Sequence, residues 1–438
     1  MTSPLATCIQ NATSGEGDVV VNAGAGNIVE VGSTFAHKGL THIVSGGLKS
    51  AGDIVAGTDE DAPEAERTTI LGDLTIDQGA TFEGFKAVNG TVTNAGTIYV
   101  NWKRYADSAA AADEEARKGE DSSIVYGETD APNQLVIGGD YIGDGGTFVF
   151  NGALAYDDSP VDTVLIKGDA SGTGKVSVNN LGGQGALTSE HGITLIDIEG
   201  ASDLHLSQDG RIVAGAYDYV LLKDPDGRRW YLQSTAGEQP INPEAPVGPL
   251  VRPEAGAYMA ASASAAWLEM RLHDRAGESH YVDPLSGEVK ETSMWIRQTA
   301  AHEHFRAYSG DLRTHMTGGV TQIGGDIIRY NDTGDVRGNI GLFGSVLYGE
   351  SSTRSVLSGN SAETKSDGYS VGLYGTIFSG QGEALDRGGY LDFWAQWAML
   401  NHEIRPELLE DEKVDADGLI ASIEAGWTFQ LGTTENGT

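Results

Sequence analysis

A glycine-rich run meeting a lysine, GDASGTGKVSV at residues 168–178, is the first stretch of this sequence that could do chemistry. A phosphate-binding loop needs Gly, four residues, then Gly-Lys-Ser/Thr ahead of a helix, so that backbone N–H groups and the lysine cradle phosphates. Here Gly168 and Gly174 enclose five residues, Val176 follows Lys175, and KVSVNN has the character of a strand. We therefore expect Gly168, Asp169 and the following glycines to make a turn between two strands, with Lys175 facing solvent.

Other chemical patterns weaken in the same way. Gly368-Tyr369-Ser370-Val371-Gly372 matches the spacing of a hydrolase nucleophile elbow. That elbow must be a strand-to-helix turn, whereas Ser370 lies within an alternating strand and reads as a small structural residue on its polar face. His302-Glu303-His304 lacks the helical spacing of a zinc protease. On a strand the two histidines share a face, which we read as polar lining and not as a metal site. GGDYIGDGG, 138–146, is a single partial copy of a calcium-binding repeat that needs tandem copies. Asp157 with Asp158, or Asp59 to Asp61, could serve as the paired carboxylates of a polysaccharide-cleaving enzyme. Acidic residues are so frequent in this chain that such pairs carry little weight. No catalytic, cofactor-binding or metal-binding residue is assigned, and the chain is read as a non-enzyme.

The elements that would hold such residues follow from composition. The chain has 438 residues, with 63 acidic against 28 basic and a net charge of −35. That balance excludes nucleic acid as a partner, because phosphate neutralisation needs clustered Lys and Arg. The single cysteine, Cys8, excludes an internal disulfide. The N-terminus lacks the basic start and apolar core of a signal peptide. Sixty-one glycines, many at the ends of short Val-, Ile-, Thr- and Tyr-rich runs, are the punctuation of an all-β chain.

Residues 1–235 carry many such short runs, which predicts a solenoid of parallel strands, each coil burying its inward residues on the next. Within it, 192–235 reads as a capping region. Tyr219–Leu222 and Trp230–Leu232 form a hairpin through Asp224-Pro225-Asp226-Gly227, sound turn chemistry. The acidic, Ala-rich stretch 101–123 reads as an inserted loop. Residues 236–253 are a Pro-rich linker, and 254–279 the strongest helix of the chain, slim and sparsely charged. From Met294 the strands lengthen and alternate strictly, within a partial barrel over 280–438. Leu391, Phe393, Ala395, Trp397 and Met399 oppose Asp392 and Gln396, and Leu419, Ile423, Trp427 and Phe429 oppose Ser422 and Glu424. Long strands, apolar outside and polar inside, are the pattern of a membrane β-barrel.

At this point the words of the sequence resemble a family. LVIGGDYIGDGGTFVFN, DTVLIKGDASGTGKVSVNNLGGQGA, GITLIDIEG and RWYLQS, within 135–235, are similar to the C-terminal passenger region of pertactin-like autotransporters. Residues 254–279, ending in LHDRAGE, resemble the pore helix of that family. WIRQTAAHEHFRAYSGDLRT, GLFGSVLYGESST, GYSVGLYGT, GGYLDFWAQWAMLNHEI and GLIASIEAGW resemble the first half of its translocation barrel.

The resemblance implies type V secretion. A right-handed parallel β-helix passenger would be displayed outside a Gram-negative outer membrane by a barrel with a helix through its lumen. Its partners would be outer-membrane lipid, the barrel-insertion machinery, and a ligand on a host surface or neighbouring cell. Passengers of this type are similar to adhesins and virulence factors. No asparagine pair for self-cleavage occurs in 254–279, and no Arg-Gly-Asp tripeptide occurs anywhere. About six barrel strands are visible where the family has about twelve, and no signal peptide is seen. We therefore expect a fragment or a disrupted gene product of an outer-membrane autotransporter that displays its own β-helical passenger, an adhesin or virulence factor, with a surface polysaccharide-active β-helix enzyme or an inactive fragment as the alternative functions.

Overall fold

The computed structural model describes residues 6–9, 13–31, 35–50, 69–100, 132–188, 191–236, 248–275, 279–331, 336–379 and 388–429. The 101–123 stretch and Asp59 to Asp61 lie outside the described residues. The chain divides into two units, Met1–Arg252 and Pro253–Thr438.

The first unit is a parallel β coil. One ladder runs through Thr41–Ser45, Leu74–Ile76, Val92–Asn94 and the start of Tyr141–Gly152. A second runs through Ile28–Val31, Gly47–Ser50, Thr81–Glu83, Thr97–Tyr99 and the later half of the same long strand. A third runs through Thr69–Ile70, Ala87–Val88, Gln134–Ile137, Thr163–Ile166 and Ile193–Ile198. Register stacks identical kinds of residue inward. Leu48, Phe82, Ile98, Phe148 and Val176 form one column. Ile70, Val88, Ile137, Ile166 and Ile198 form another. All ten are buried. Burying each such side chain contributes about 1.5–3 kcal/mol, and β-branched residues fit a pleated surface.

One corner of the coil is a column of glycines. A Cβ at Gly168 would fall 2.5 Å from the carbonyl oxygen of Gly139, and one at Gly200 would fall 2.3 Å from that of Gly168. The aspartates after Gly72, Gly139 and Gly168 tie the coils together. Asp73 accepts the Thr91 N–H at 2.8 Å, Asp140 that of Asp169 at 2.8 Å, and Asp169 that of Ala201 at 2.8 Å. The GDASGTGKVSV stretch is therefore a corner only as far as Asp169. Contrary to expectation, Ala170–Asn180 is already strand, and its glycines lie inside the ladder beside Tyr141–Gly152. Gly172 has φ +90°, and its Cβ would meet the Gly143 oxygen at 2.0 Å, so the bend there admits only glycine. Lys175 is exposed, as expected, and pairs with Asp209 at 3.2 Å.

A hairpin lies against the end of the third ladder. Tyr217–Lys223 pairs antiparallel with Arg229–Gln233, which in turn pairs antiparallel with Ile193–Ile198. The last parallel strand of the third ladder is thus covered. The Pro-rich linker is shorter than predicted. Residues 237–247 lie outside the described residues, but Leu250 and Val251 are buried on the coil. There Leu250 donates its N–H to Ser234 and accepts that of Asp218. Two apolar side chains dock what composition alone marks as free.

The second unit begins with the helix Pro253–Ser264, then a 3₁₀ turn at Ala265–Leu268. The predicted single helix over 254–279 is thus interrupted: Glu269 is extended, and a second 3₁₀ turn spans Leu272–Asp274. Six antiparallel strands follow in sequence order: Trp295–Ala307, Leu312–Asn331, Val336–Ser355, Ser361–Ser379, Gly388–Pro406 and Glu412–Thr428. Strands two to five are 19 or 20 residues long, far beyond the typical strand and ample for a bilayer.

Candidate functional site

Each of these strands separates two chemistries by parity. On the fourth, Val371 and Leu373 point outward at 58% and 55% exposure, while Ser370 and Thr376 point inward and are buried. On the sixth, Leu419, Ile423 and Trp427 point outward and are exposed. The inward faces form a wall of polar residues interspersed with Met316, Phe343, Leu347 and Trp394, and the segment 253–275 lies along it.

Small residues let the helix approach. Ala257, Ala260 and Ala261 are buried, and a Cβ at Gly256 would fall 2.5 Å from Thr353 Cγ2. Trp267 sits over Gly318 and Gly349, which face each other across strands two and three. A Cβ at either glycine would come within 2.6 Å of its ring. The indole N–H of Trp267 donates to Glu303 Oε1 at 2.8 Å.

Beyond Leu268 the wall takes over the backbone. Gln322 and Gln396 both donate side-chain N–H groups to the Leu268 carbonyl, at 3.1 and 3.0 Å, and Trp394 Nε1 donates to that of Met270 at 2.8 Å. These carbonyls find partners outside the helix, which accounts for its early end. Arg275 closes the segment. It is ion-paired with Asp392, both side chains almost wholly buried, and its guanidinium lies over the Tyr374 ring at 4.5 Å. Tyr374 in turn donates to Asp326 at 2.7 Å and accepts from Trp295 Nε1 at 3.2 Å. The arrangement holds a strap of chain against the inner wall by packing, hydrogen bonds and one buried ion pair.

The sequence placed Ser370, Asp392, Gln396 and Glu424 on the inner face, and they are there. Ser370 donates to Gln396 at 2.6 Å within the ladder, with no turn around it. The histidines are a correction. His302 and His304 lie on the outward face, His302 against Thr317 at 2.9 Å, and it is Glu303 between them that faces inward. Parity on this first strand is fixed by its register, which sets Glu303 opposite the buried Met316. Among the described residues no group of three or more His, Cys, Asp or Glu is placed to hold a metal ion. Asp140 is spent on a backbone N–H of the next coil. Asp157 and Asp158 lie together in a surface loop closed by the Gly152–Val161 bridge.

Ser366 and His402, 2.8 Å apart on the inner face, are a nucleophile and a base in reach of one another. The backbone around them is committed to ladder pairing on both sides of the fourth strand, which leaves no free N–H pair for an oxyanion. Sequence reasoning missed Trp267, Gln322, Trp394 and Arg275. Paired glycines inside long strands were the one signal that a bulky group had to be accommodated.

Comparison with known proteins fits this geometry. A family model described as Autochaperone Domain Type 1 matches residues 116–221, and one described as Autotransporter beta-domain matches residues 294–436. The chain is 34% identical over 435 residues to the Uncharacterized protein YuaQ of Escherichia coli (strain K12), covering 96% of this chain and 28% of that one. It is 37% identical over 316 residues to the Uncharacterized protein YdeU of the same strain, covering 69% of this chain and 67% of that one. It is 30% identical over 312 residues to the Autotransporter adhesin AIDA-I of Escherichia coli, covering 69% of this chain and 23% of that one. The chain thus spans about a quarter of the length of two of these relatives and two thirds of the third.

Proposed function

The chain belongs to the autotransporters, and from that premise we propose that its antiparallel strands sit in an outer membrane while its β coil is carried to the cell surface as an adhesin. The single observation that carries the membrane reading is the inverted surface of the second unit. Val346, Val371, Leu373, Leu419, Ile423 and Trp427 are all more than half exposed on one face, and the opposite face mixes polar residues such as Gln322, Ser370, Asp392 and Gln396 with buried apolar ones. Water would leave that apolar face unburied, and lipid covers it. Closure by other strands and seating by the barrel-insertion machinery belong to the same reading.

The segment 253–275 occupies the lumen in this reading and links membrane part to passenger. The cap over Ile193–Ile198 gives the passenger a closed end from which coils can be added one on another. A non-enzymatic role rests on what fills the coil: apolar columns inside, and aspartates engaged by backbone N–H groups at the corners. Adhesion is supported by the name of a relative, AIDA-I, and is the finer part of the proposal.

The test is direct. Purified full-length chain is folded in the presence of phosphatidylcholine vesicles and the vesicles are floated. We expect it to float, with 294–429 protected from protease. Chain that stays in solution, cleaved as fast with vesicles as without, would refute the membrane reading. Beads coated with the chain should bind cultured cells or each other, and binding no better than albumin-coated beads would remove the adhesin assignment.

A further inference from the structure

The short run Trp267–Arg275 is tied to every strand of the second unit. Trp267 donates to Glu303 on the first strand and is seated on Gly318 and Gly349 of the second and third. The Leu268 carbonyl is held from the second strand by Gln322 and from the fifth by Gln396. Met270 packs with Phe343, Tyr374 and Trp394 of the third, fourth and fifth. The Leu272 N–H donates to Glu424 Oε2 on the sixth at 3.4 Å. Arg275 is paired with Asp392 on the fifth and lies over Tyr374 on the fourth.

The elements on either side of this run are weaker. The helix Pro253–Ser264 packs on the wall through Gly256, Ala257, Ala260 and Ala261, and Thr364 donates to the Ala257 carbonyl at 3.5 Å. A helix of 12 residues is marginal by itself. After Arg275 come Ser279–Val282 and Val289–Thr292, a hairpin that forms a two-stranded sheet of its own. Such a hairpin is marginal too. The chain then enters the first strand at Trp295. That strand lies at the end of the six-stranded sheet, and Trp295 with Gly324 is the opening pair of its ladder. Tension arriving at Trp295 would part this ladder one pair at a time.

A pull on the β coil enters the second unit through Arg252 and Pro253. It meets the helix first, then Trp267–Arg275, then the hairpin and the end strand. We infer a mechanical function for Trp267–Arg275: this run is the load-bearing anchor of the chain, and it spreads tension from the passenger over all six strands before the first strand feels it. Gln322, Gln396 and Trp394 grip backbone carbonyls, so the load passes from main chain to wall without crossing the segment's own side chains. The inference rests on the membrane reading proposed above, because a pull needs a fixed body to act against.

The experiment pulls on the full-length chain. Cys8→Ser removes the native thiol, and Arg252→Cys supplies one next to the helix for a DNA handle. The chain is folded into phosphatidylcholine vesicles fixed to a surface and held at constant force in magnetic tweezers. We expect two separate extensions. The first, about 25 Å, is the unravelling of Pro253–Ser264 from about 1.5 Å to about 3.6 Å per residue. The second, after a dwell, is release of the anchor. Gln322→Ala with Gln396→Ala should shorten that dwell at least about tenfold, the scale of two net hydrogen bonds. Trp394→Phe keeps a ring against Met270 and removes only the indole N–H, and it should shorten the dwell about fivefold. Tyr258→Phe, in the helix, should leave the dwell unchanged. Dwells unchanged in both anchor variants would overturn the inference and leave the membrane reading standing. Extraction in a single step would do the same, as would a dwell that Tyr258→Phe shortens as much as the anchor variants do. Chain that never enters the vesicles would defeat both.

Discussion

Arg275 and Asp392 form an ion pair in which neither side chain retains more than 2% of its exposure. Arg275 ends the segment 253–275 and Asp392 belongs to the fifth strand, so the pair fastens the one to the other. Removing one member of a buried pair leaves a desolvated charge and costs about 3–5 kcal/mol. Asp392→Ala should therefore lower the unfolding temperature in detergent markedly. Replacing both, Arg275→Met with Asp392→Leu, should recover most of the loss. A single variant that unfolds at the temperature of the parent would show that the pair fastens nothing.

The bend at Gly172 makes a separate prediction for the passenger. At Gly172 both a positive φ and a 2.0 Å approach to the Gly143 oxygen exclude a side chain. Gly172→Ala should cost about 1–3 kcal/mol or more, the range for backbone held in an unfavourable region. Lys175→Ala, exposed three residues away, should change stability by less than about 0.5 kcal/mol. Urea unfolding of the two variants side by side checks this. Equal midpoints would mean the bend at Gly172 is not tight.

These two sites also show what was legible before the structure. The parity of the long strands gave the inner face, with Ser370, Asp392 and Gln396, because a period of two is local. The hairpin through Asp224-Pro225-Asp226-Gly227 was legible because turn chemistry is local too. The departure from helix after Leu268 was not, because the side chains that take the Leu268 and Met270 carbonyls lie 54, 124 and 128 residues away in Gln322, Trp394 and Gln396. The outward placement of His302 and His304 was missed for the same reason. One residue of register decides it, and register is set by the neighbouring strand. Asp169 could be seen as a turn residue, but its bond to Ala201 exists only once successive coils are aligned.

A buried carboxyl in the coil gives a pH prediction. Glu83 lies in register with Lys49, and Thr81 donates to its Oε1 at 3.1 Å. Burial raises its pKa above the usual 4.5, and the Thr81 hydrogen bond and Lys49 offset only part of that. The folded state therefore binds this proton more tightly than the unfolded chain. The resulting stability is full below about pH 4.5 and is lost as pH rises through the raised value. At pH 7 the charged form is a burden. Glu83→Gln should melt higher than the parent at pH 7, and that advantage should shrink at pH 5. An advantage that is the same at both pH values would reject burial as the cause.

The outward face can be tested residue by residue. Leu373 lies in mid-strand between Leu342 and Ala395 on the neighbouring strands, with its side chain 55% exposed. If that face meets lipid, Leu373→Arg places a charge deep in hydrocarbon and costs about 2–4 kcal/mol of folding free energy in vesicles. Lys365, eight residues earlier and also outward, lies beyond the apolar band, and Lys365→Ala should cost less than about 1 kcal/mol. In a soluble protein the ranking would differ. An exposed leucine replaced by arginine would be near neutral there, because surface substitutions usually fall within about 0.5 kcal/mol. Denaturant unfolding from phosphatidylcholine vesicles, followed by tryptophan fluorescence, separates the cases. A Leu373→Arg variant as stable as its parent in vesicles would mean that this apolar face does not meet lipid.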